Sequence, residues 1–502
     1  MRARVLVVLA AAAVAAGIVA GAGSGRSGPV SISVDATHPG RSIPRPFLGL
    51  SIEYQSVPEY MGSRDAPNRA FAGLAAALSA AENAPIGLRI GGNSGDQSWW
   101  NPSRRPRPPG VDRDLGPAWA RSLATGRSEL RAPLALGLNL GLDDPANALE
   151  LVRAVEHSGL RSPGITALEV GNEPDLYTRA RSFHVGTVLV RRKRRRTRYS
   201  PAAYARQASA FARTLARSLR DGPLLTGGGF ATRAWARAAI PRLLVADPGG
   251  IGELAAHAYA ITECHPRGDR AELRSSLLGD DHLRELVSDV QPYAGHGLPV
   301  RVSELNSAVC GGARGVSDTF ASALWAPEAL FAMAAAGVRQ VDVHTWSRAV
   351  YAPFAFRRSR AGEVATVRPL YYGLLLFAEA AAAGSRLLPV AVDDGGNDVR
   401  AWATASADDT LRLLAINRSA GSSREIRLRL GRRSGVARLQ ILRSPGLAAR
   451  TEVTLGGRGF SRPTATGRLP APATIAVPVR RGRARMTLPA ASAALLEVRN
   501  AR

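Results

Sequence analysis

The chain has 502 residues, of which 45% are hydrophobic and 21% charged, with 51 Gly and 33 Pro scattered rather than periodic; this excludes a disordered or fibrous protein and suggests two domains, one large and one smaller. The formal net charge of +26 would ordinarily indicate nucleic acid, anionic lipid or acidic polysaccharide as a partner. Lys193 is nevertheless the sole lysine among 66 basic residues, so the charge reads as a compositional trait of the whole chain and carries little weight for nucleic acid.

At the N-terminus, Arg2 and Arg4 precede an apolar run from Val5 to about Val19 and then Ala20-Gly21-Ala22. This is the charged, apolar and small-residue order of a secretory signal over residues 1–22, with an uncleaved anchor as the other reading. No later run is long and apolar enough to span a bilayer. The expected location is secreted or cell-surface, with no membrane contact after cleavage.

Segment 30–34 alternates as a strand and could join a sheet formed much later in the chain. Eight further strand candidates follow at 47–54, 86–93, 133–138, 165–171, 224–230, 253–260, 299–304 and 338–346. Several are continuous apolar runs, as strands buried on both faces should be. Ala-rich segments 70–81, 202–219 and 319–336 have the propensity for the intervening helices. Eight such units close most simply into a (β/α)8 barrel, placed over residues 30–375. From 376 to 502 the texture becomes short β-rich runs with turn signals, at 400–404, 411–416, 425–430, 438–442, 474–479 and 491–498, which predicts an antiparallel β-sandwich. Segments 101–115 and 188–198 read as exposed insertions. The second contains the basic run Arg191 to Arg196, either a solvated face or a contact for an acidic polymer.

Active sites of such barrels lie at the C-terminal ends of the strands. Glu173 ends the fourth run, before Pro174, and Glu304 ends the seventh. Two such carboxyl groups across a barrel mouth suit glycoside hydrolysis, in which one group protonates the leaving oxygen and the other attacks the anomeric carbon. Cys264 and Cys310 are the only cysteines. In an exported chain an even pair reads as one disulfide, and these two follow the sixth and seventh strands onto the same barrel face. No phosphate-binding loop, nicotinamide fingerprint or metal-ligand spacing stands in the sequence, so no cofactor or metal is expected.

Gly171-Asn172-Glu173-Pro174-Asp175 resembles the Asn-Glu-Pro signature of the large clan of retaining glycosidases. Ser303-Glu304-Leu305-Asn306-Ser307-Ala308, with Cys310-Gly311-Gly312 and Ser317-Asp318-Thr319-Phe320, is similar to the nucleophile region of glycoside hydrolase family 79, the heparanase and β-glucuronidase family. The resemblance implies Glu173 as acid/base, Glu304 as nucleophile, Asn172 on the sugar 2-hydroxyl, Tyr259 orienting the nucleophile and Glu53 gripping sugar hydroxyls. The segment Arg89-Ile90-Gly91-Gly92-Asn93 resembles the family's Arg-x-Gly-Gly, which brings Asn93 to the pocket and leaves Arg89 open between structure and substrate. His344 and Trp346 end the eighth strand, as pocket lining or as packing. Uronate-specific members resemble one another in a tyrosine five residues beyond the nucleophile, beside a glycine pair whose amides bind the sugar carboxylate. Here that position is Val309, while Gly311 and Gly312 remain. The expected substrate is a β-glucuronide-like glycoside or oligosaccharide, with an acidic polysaccharide as a further possible partner. The alternatives are the same mechanism on a neutral β-glycoside, and a non-catalytic carbohydrate- or polyanion-binding surface protein.

Overall fold

The computed structural model describes residues 29–159, 164–177, 199–219, 222–359, 362–396 and 398–499. The signal segment and the Arg191 to Arg196 run lie outside the described residues. Among those residues, no helix is long and apolar enough to cross a membrane.

Eight parallel strands close into a barrel in chain order: Leu48–Glu53, Gly87–Gly91, Leu134–Leu138, Ile165–Val170, Leu224–Gly228, Glu253–Ile261, Val300–Ala308 and Gln340–Thr345. All eight predicted strands are present. The third is buried at every position, so leucine and alanine fill both of its faces. Between strands, the predicted helices run over Arg69–Glu82, Pro201–Ser218 and Phe320–Ala335. Asn68 caps the first by accepting from Phe71 N at 3.0 Å, and Ser200 caps the second through Ala203 N, with Pro201 opening it, each satisfying an N–H that has no partner within its helix. At the other end of the first, Glu82 accepts from the N–H groups of Phe47 and Leu48 at 2.6 and 2.9 Å, pinning the helix beneath the first barrel strand.

The barrel interior carries charges where continuous apolar filling is the usual solution. One layer pairs Arg301 with Glu253 at 2.9 Å and Asp342 at 3.1 Å. A second layer centres on Arg89. Gly49 and Gly87 admit the lower layer, because a Cβ on either would meet Asp342 or Gln340 at about 2 Å.

Beyond the barrel strands are a hairpin, Phe354–Ser359 with Gly362–Val367, and two larger sheets. One has the order Val390–Asp393, Val30–Val34, Arg424–Arg429, Arg483–Leu488, so the early strand does join the late sheet. The other includes Val399–Ala405, Leu411–Asn417, Ser492–Val498 and Gly435–Arg443. Residues such as Ile32, Leu413, Leu428 and Leu496 form the core of this unit. Two details differ from the sequence reading. Val30–Val34 pairs parallel with Arg424–Arg429, an exception in an otherwise antiparallel arrangement, because a strand arriving from the far end of the chain is not bound by hairpin geometry. Helix Pro369–Ala380 also runs through the expected boundary at 375, its apolar length being buried against the barrel.

Segment 101–115 is only partly an exposed insertion. Arg113–Leu115 pairs in parallel with Ser98–Trp100, and Asp114 accepts from Trp99 Nε1 at 2.9 Å and Asn101 Nδ2 at 2.9 Å. Asn101, Val111 and Leu115 are buried while residues 102–107 are exposed, so the Pro and Arg content described the tip and not the base.

Candidate active site

The loop after the fourth barrel strand is tied down on both sides. Gly171 N–H donates to Leu138 O at 3.0 Å, and Glu173 N–H donates to Gly229 O at 2.8 Å. Asn172 N–H donates to Asp96 Oδ2 at 3.0 Å, an oxygen that also accepts the Tyr177 hydroxyl at 2.7 Å. These bonds hold Glu173 in the left-handed region, at φ 43°, a conformation that costs a non-glycine residue roughly 1–3 kcal/mol and persists only where its surroundings fix it.

Glu304 arrives by a different device. It lies within the seventh barrel strand, Val300–Ala308, and not at its end. The pairing register slips on both edges of that strand between Val302 and the residues that follow. This bulge lets two successive side chains reach the interior, which regular alternation forbids. Ser303 Oγ donates to Glu169 Oε1 at 2.7 Å, and the next residue, Glu304, accepts from Arg89 Nη1 at 2.8 Å.

Arg89 connects the site. Fully buried, its guanidinium donates to Glu169 Oε2 at 2.6 Å, Ser51 Oγ at 3.1 Å, Glu304 Oε1 at 2.8 Å and Asn172 Oδ1 at 3.0 Å. Asn172 Nδ2 in turn donates to Asn93 Oδ1 at 3.1 Å. The other Glu304 oxygen accepts the Tyr259 hydroxyl at 2.6 Å. His257 stands between the carboxyl groups, its Nδ1 3.1 Å from Glu173 Oε1 and 3.8 Å from Glu304 Oε2.

The two carboxyl groups are driven apart in acidity. Burial acts to raise Glu304, but attraction to His257, His344 and Arg89 and the Tyr259 hydrogen bond outweigh it and hold the carboxyl well below the usual range. Burial raises Glu173, with Glu304 and Asp175 adding repulsion, and the His257 contact only partly offsets this. His257 is disfavoured as a cation by burial, yet Glu304 and Glu173 together push it above its ordinary value. Glu304 is thus biased toward the carboxylate and Glu173 toward the protonated acid.

Glu53 accepts from the Ser94 N–H at 2.8 Å and from its hydroxyl, and lies 3.5 Å from His344 Nε2. His344 Nδ1 is 2.9 Å from Ser51 Oγ. Trp346 packs edge-on against Tyr351 with ring centres 5.3 Å apart. Cys264 and Cys310 form a disulfide joining the loops after strands six and seven, with Cα atoms 5.4 Å apart.

Gly311 and Gly312 differ from expectation. A Cβ on Gly311 would lie 2.8 Å from the Trp346 ring, and one on Gly312 would lie 2.9 Å from Tyr351 N. Both glycines have positive φ, 87° and 100°, so they are seats for the two aromatics as much as parts of a loop. The Gly312 N–H is already donated to Val309 O at 3.1 Å, which leaves the Gly311 amide as the better candidate for a substrate.

Arg89, His257, Glu169, Ser303 and Tyr351 are the members that sequence reasoning did not assign. His257 was accessible from its place two residues before Tyr259 on one strand, which puts both on the same face. One oxygen from each catalytic candidate and a ring nitrogen of His257 lie within 4.8 Å of one another. Such a trio has the donor types of a cation site, but here both Glu304 oxygens already face protein donors, Arg89 and Tyr259.

No family model matches the chain. A β-glucuronidase of Neurospora crassa is 25% identical over 379 residues, covering 68% of this chain and 65% of that protein, slightly under two thirds of the relative's length. Among solved structures, a 4-O-α-L-rhamnosyl-β-D-glucuronidase from Fusarium oxysporum 12S, in complex with Rha-GlcA, superposes with a TM-score of 0.72 at 17% identity over 93% of this chain and 100% of that one. A GH51 arabinofuranosidase from Xanthomonas axonopodis pv. citri gives 0.66 at 18% identity over 94% and 100%. The architecture is therefore the barrel-and-sheet fold of these glycoside hydrolases. In sequence the chain is a homologue of a β-glucuronidase, and its resemblance to glycoside hydrolase family 79 stands.

Proposed function

We propose that the chain is a secreted or cell-surface retaining β-glycosidase of the β-glucuronidase type, with Glu173 as acid/base and Glu304 as nucleophile. The observation that carries this reading is the approach of the two carboxyl groups, with oxygens within 4.8 Å, together with their opposed acidities. Retaining enzymes hold the pair about 5–5.5 Å apart, whereas inverting ones leave roughly 6.5–9.5 Å for a water.

In the first step Glu304 attacks the anomeric carbon as Glu173 transfers its proton to the departing oxygen. Arg89 and Tyr259 hold the attacking carboxylate in one orientation, and Asn172 is fixed by Arg89 and Asn93 where a 2-hydroxyl would meet it. Once Glu304 is esterified its charge is gone, so its repulsion of a Glu173 carboxylate ends and Glu173 becomes more acidic than before. It then takes a proton from water, whose oxygen attacks the anomeric carbon and releases Glu304.

The similarity to glucuronidases supports a glycoside or oligosaccharide bearing glucuronate as substrate. Val309, in the place of the family's tyrosine, and the committed Gly312 amide favour a second reading, the same mechanism on a neutral β-glycoside. Aryl β-glucuronide, glucoside, galactoside and xyloside assayed side by side separate the two, and NMR of the first-formed sugar tests the stereochemistry. A β-configured first product is expected, and an α-configured one overturns the retaining assignment. Azide should rescue Glu173→Ala with a β-glycosyl azide and Glu304→Ala with the α-azide; exchange of these products would reverse the roles.

A further inference from the structure

A cavity of about 590 Å³ lies at the seam between barrel and sheets, well outside the constellation around Glu304, and its wall includes Arg41, Asp280, Asp394, Arg400, Trp402 and Arg418. Arg400 and Trp402 are two apart on strand Val399–Ala405, so they share the face turned to the barrel. Phe331, from a barrel helix, covers one face of the Trp402 indole, with ring centres 5.4 Å apart and planes 7° from parallel. Trp402 also contributes to the cavity wall. Arg400 and Arg418 both pair with Asp280, so three guanidinium groups meet two carboxylates and the wall is cationic on balance. Arg400 Nε and Trp402 Nε1 are buried donors without a hydrogen-bond partner behind this wall, so the groups it presents are the remaining guanidinium nitrogens and the indole ring.

We propose that this cavity is a second saccharide site, separate from the barrel mouth, that takes a hexuronate unit. Its volume suits one or two sugar rings. An aromatic plate meets the apolar face of the ring, and guanidinium groups meet its carboxylate in the forked geometry that arginine favours. The site does not depend on the reading of Glu173 and Glu304, and its occupant could be substrate, product or a distant part of one polymer.

The chain has 7 tryptophans, so the full-length protein labelled with 5-fluorotryptophan gives separate fluorine resonances for Trp402 and Trp346, assigned from Trp402→Phe and Trp346→Phe. Free glucuronate should move the Trp402 resonance saturably, while glucose and inorganic sulfate at the same concentration leave it in place. Arg400→Gln should weaken that response about tenfold or more, the scale of a charge-assisted hydrogen bond, without altering the response at Trp346. Arg41→Gln, at the exposed lip, provides a second variant if Arg400→Gln does not fold. A Trp402 resonance indifferent to glucuronate, equally responsive to glucose or sulfate, or unchanged in affinity in a folded variant overturns the proposal. Because Trp346 reports the barrel mouth separately, failure there is read independently.

Discussion

At the scale of single residues, Arg89 organises the site because one guanidinium serves four acceptors at once. Lysine has a compact charge and no planar fork, so Arg89→Lys cannot replace the bonds to Glu169, Glu304, Asn172 and Ser51 together. With the attacking carboxylate no longer held in one orientation, kcat should fall about 10²-fold, roughly 2.7 kcal/mol of activation free energy. Arg89→Gln, which removes the positive charge as well, should raise the Glu304 pKa, since attraction to Arg89 is one of the causes that depress it, and the acid limb of the rate profile should move upward in pH. Unchanged kcat and acid limb would remove Arg89 from the mechanism. On the proposed roles the alkaline limb belongs to Glu173, which as the acid would have to be protonated and whose pKa burial raises; activity should therefore be present below that pKa and lost above it. With an activated leaving group that needs no acid, Glu173→Gln should erase this limb in the glycosylation step.

At the scale of elements, the placement of chemistry was partly legible. Asn172-Glu173-Pro174 stands after a strand, and the sequence reading located it there because proline ends the run. The bulge in Val300–Ala308 was not legible: nothing in Val302-Ser303-Glu304 distinguishes a regular strand from a slipped one, and only pairing with both neighbours decides it. The disulfide clamps the loops after strands six and seven across a sequence separation of 46, for which chain entropy gives about 4 kcal/mol before strain. The double variant Cys264→Ala with Cys310→Ala should therefore melt several degrees lower by calorimetry. It should also raise KM more than it lowers kcat, since Gly311, Trp346 and Tyr351 sit beside the clamp while Glu304 is held by the strand. A large kcat loss at unchanged KM would contradict that division.

At the scale of the whole molecule, buried carboxyl groups set a pH dependence of stability. Burial pushes Glu82, Asp96 and Asp289 up to about 7 and Glu328 up to about 8, whereas in the unfolded chain they titrate near 4. Between those values the folded state binds more protons than the unfolded state, so stability falls as pH rises from about 5 to 8. Glu304, with a lowered pKa, acts in the opposite sense, but its contribution is already complete above its unfolded value. Melting temperature should consequently decline across this range, and Glu328→Gln, neutral at every pH and replacing two unpartnered oxygens, should flatten the upper part of the decline. A melting temperature that rises steadily from pH 5 to 8 would refute the assignment.

The sequence by itself determined the periodicities: eight apolar runs with Ala-rich helices between them specify a barrel, and alternating strands with turn residues specify the sheets, because burial on two faces or one is written directly into residue order. It also placed Glu173 at a strand end, since strand, carboxylate and proline are adjacent in the chain, and it put Glu304 on the seventh strand, though at the end and not the interior where it lies. Tertiary structure alone decided which charges enter the barrel, how Arg89 and His257 join the carboxyl groups, that Gly311 and Gly312 seat Trp346 and Tyr351, and that strand 30–34 completes a sheet formed from 390–488. Those outcomes depend on contacts between residues tens to hundreds of positions apart, and on the low dielectric around them. A linear pattern records the residues that meet there, but not their meeting.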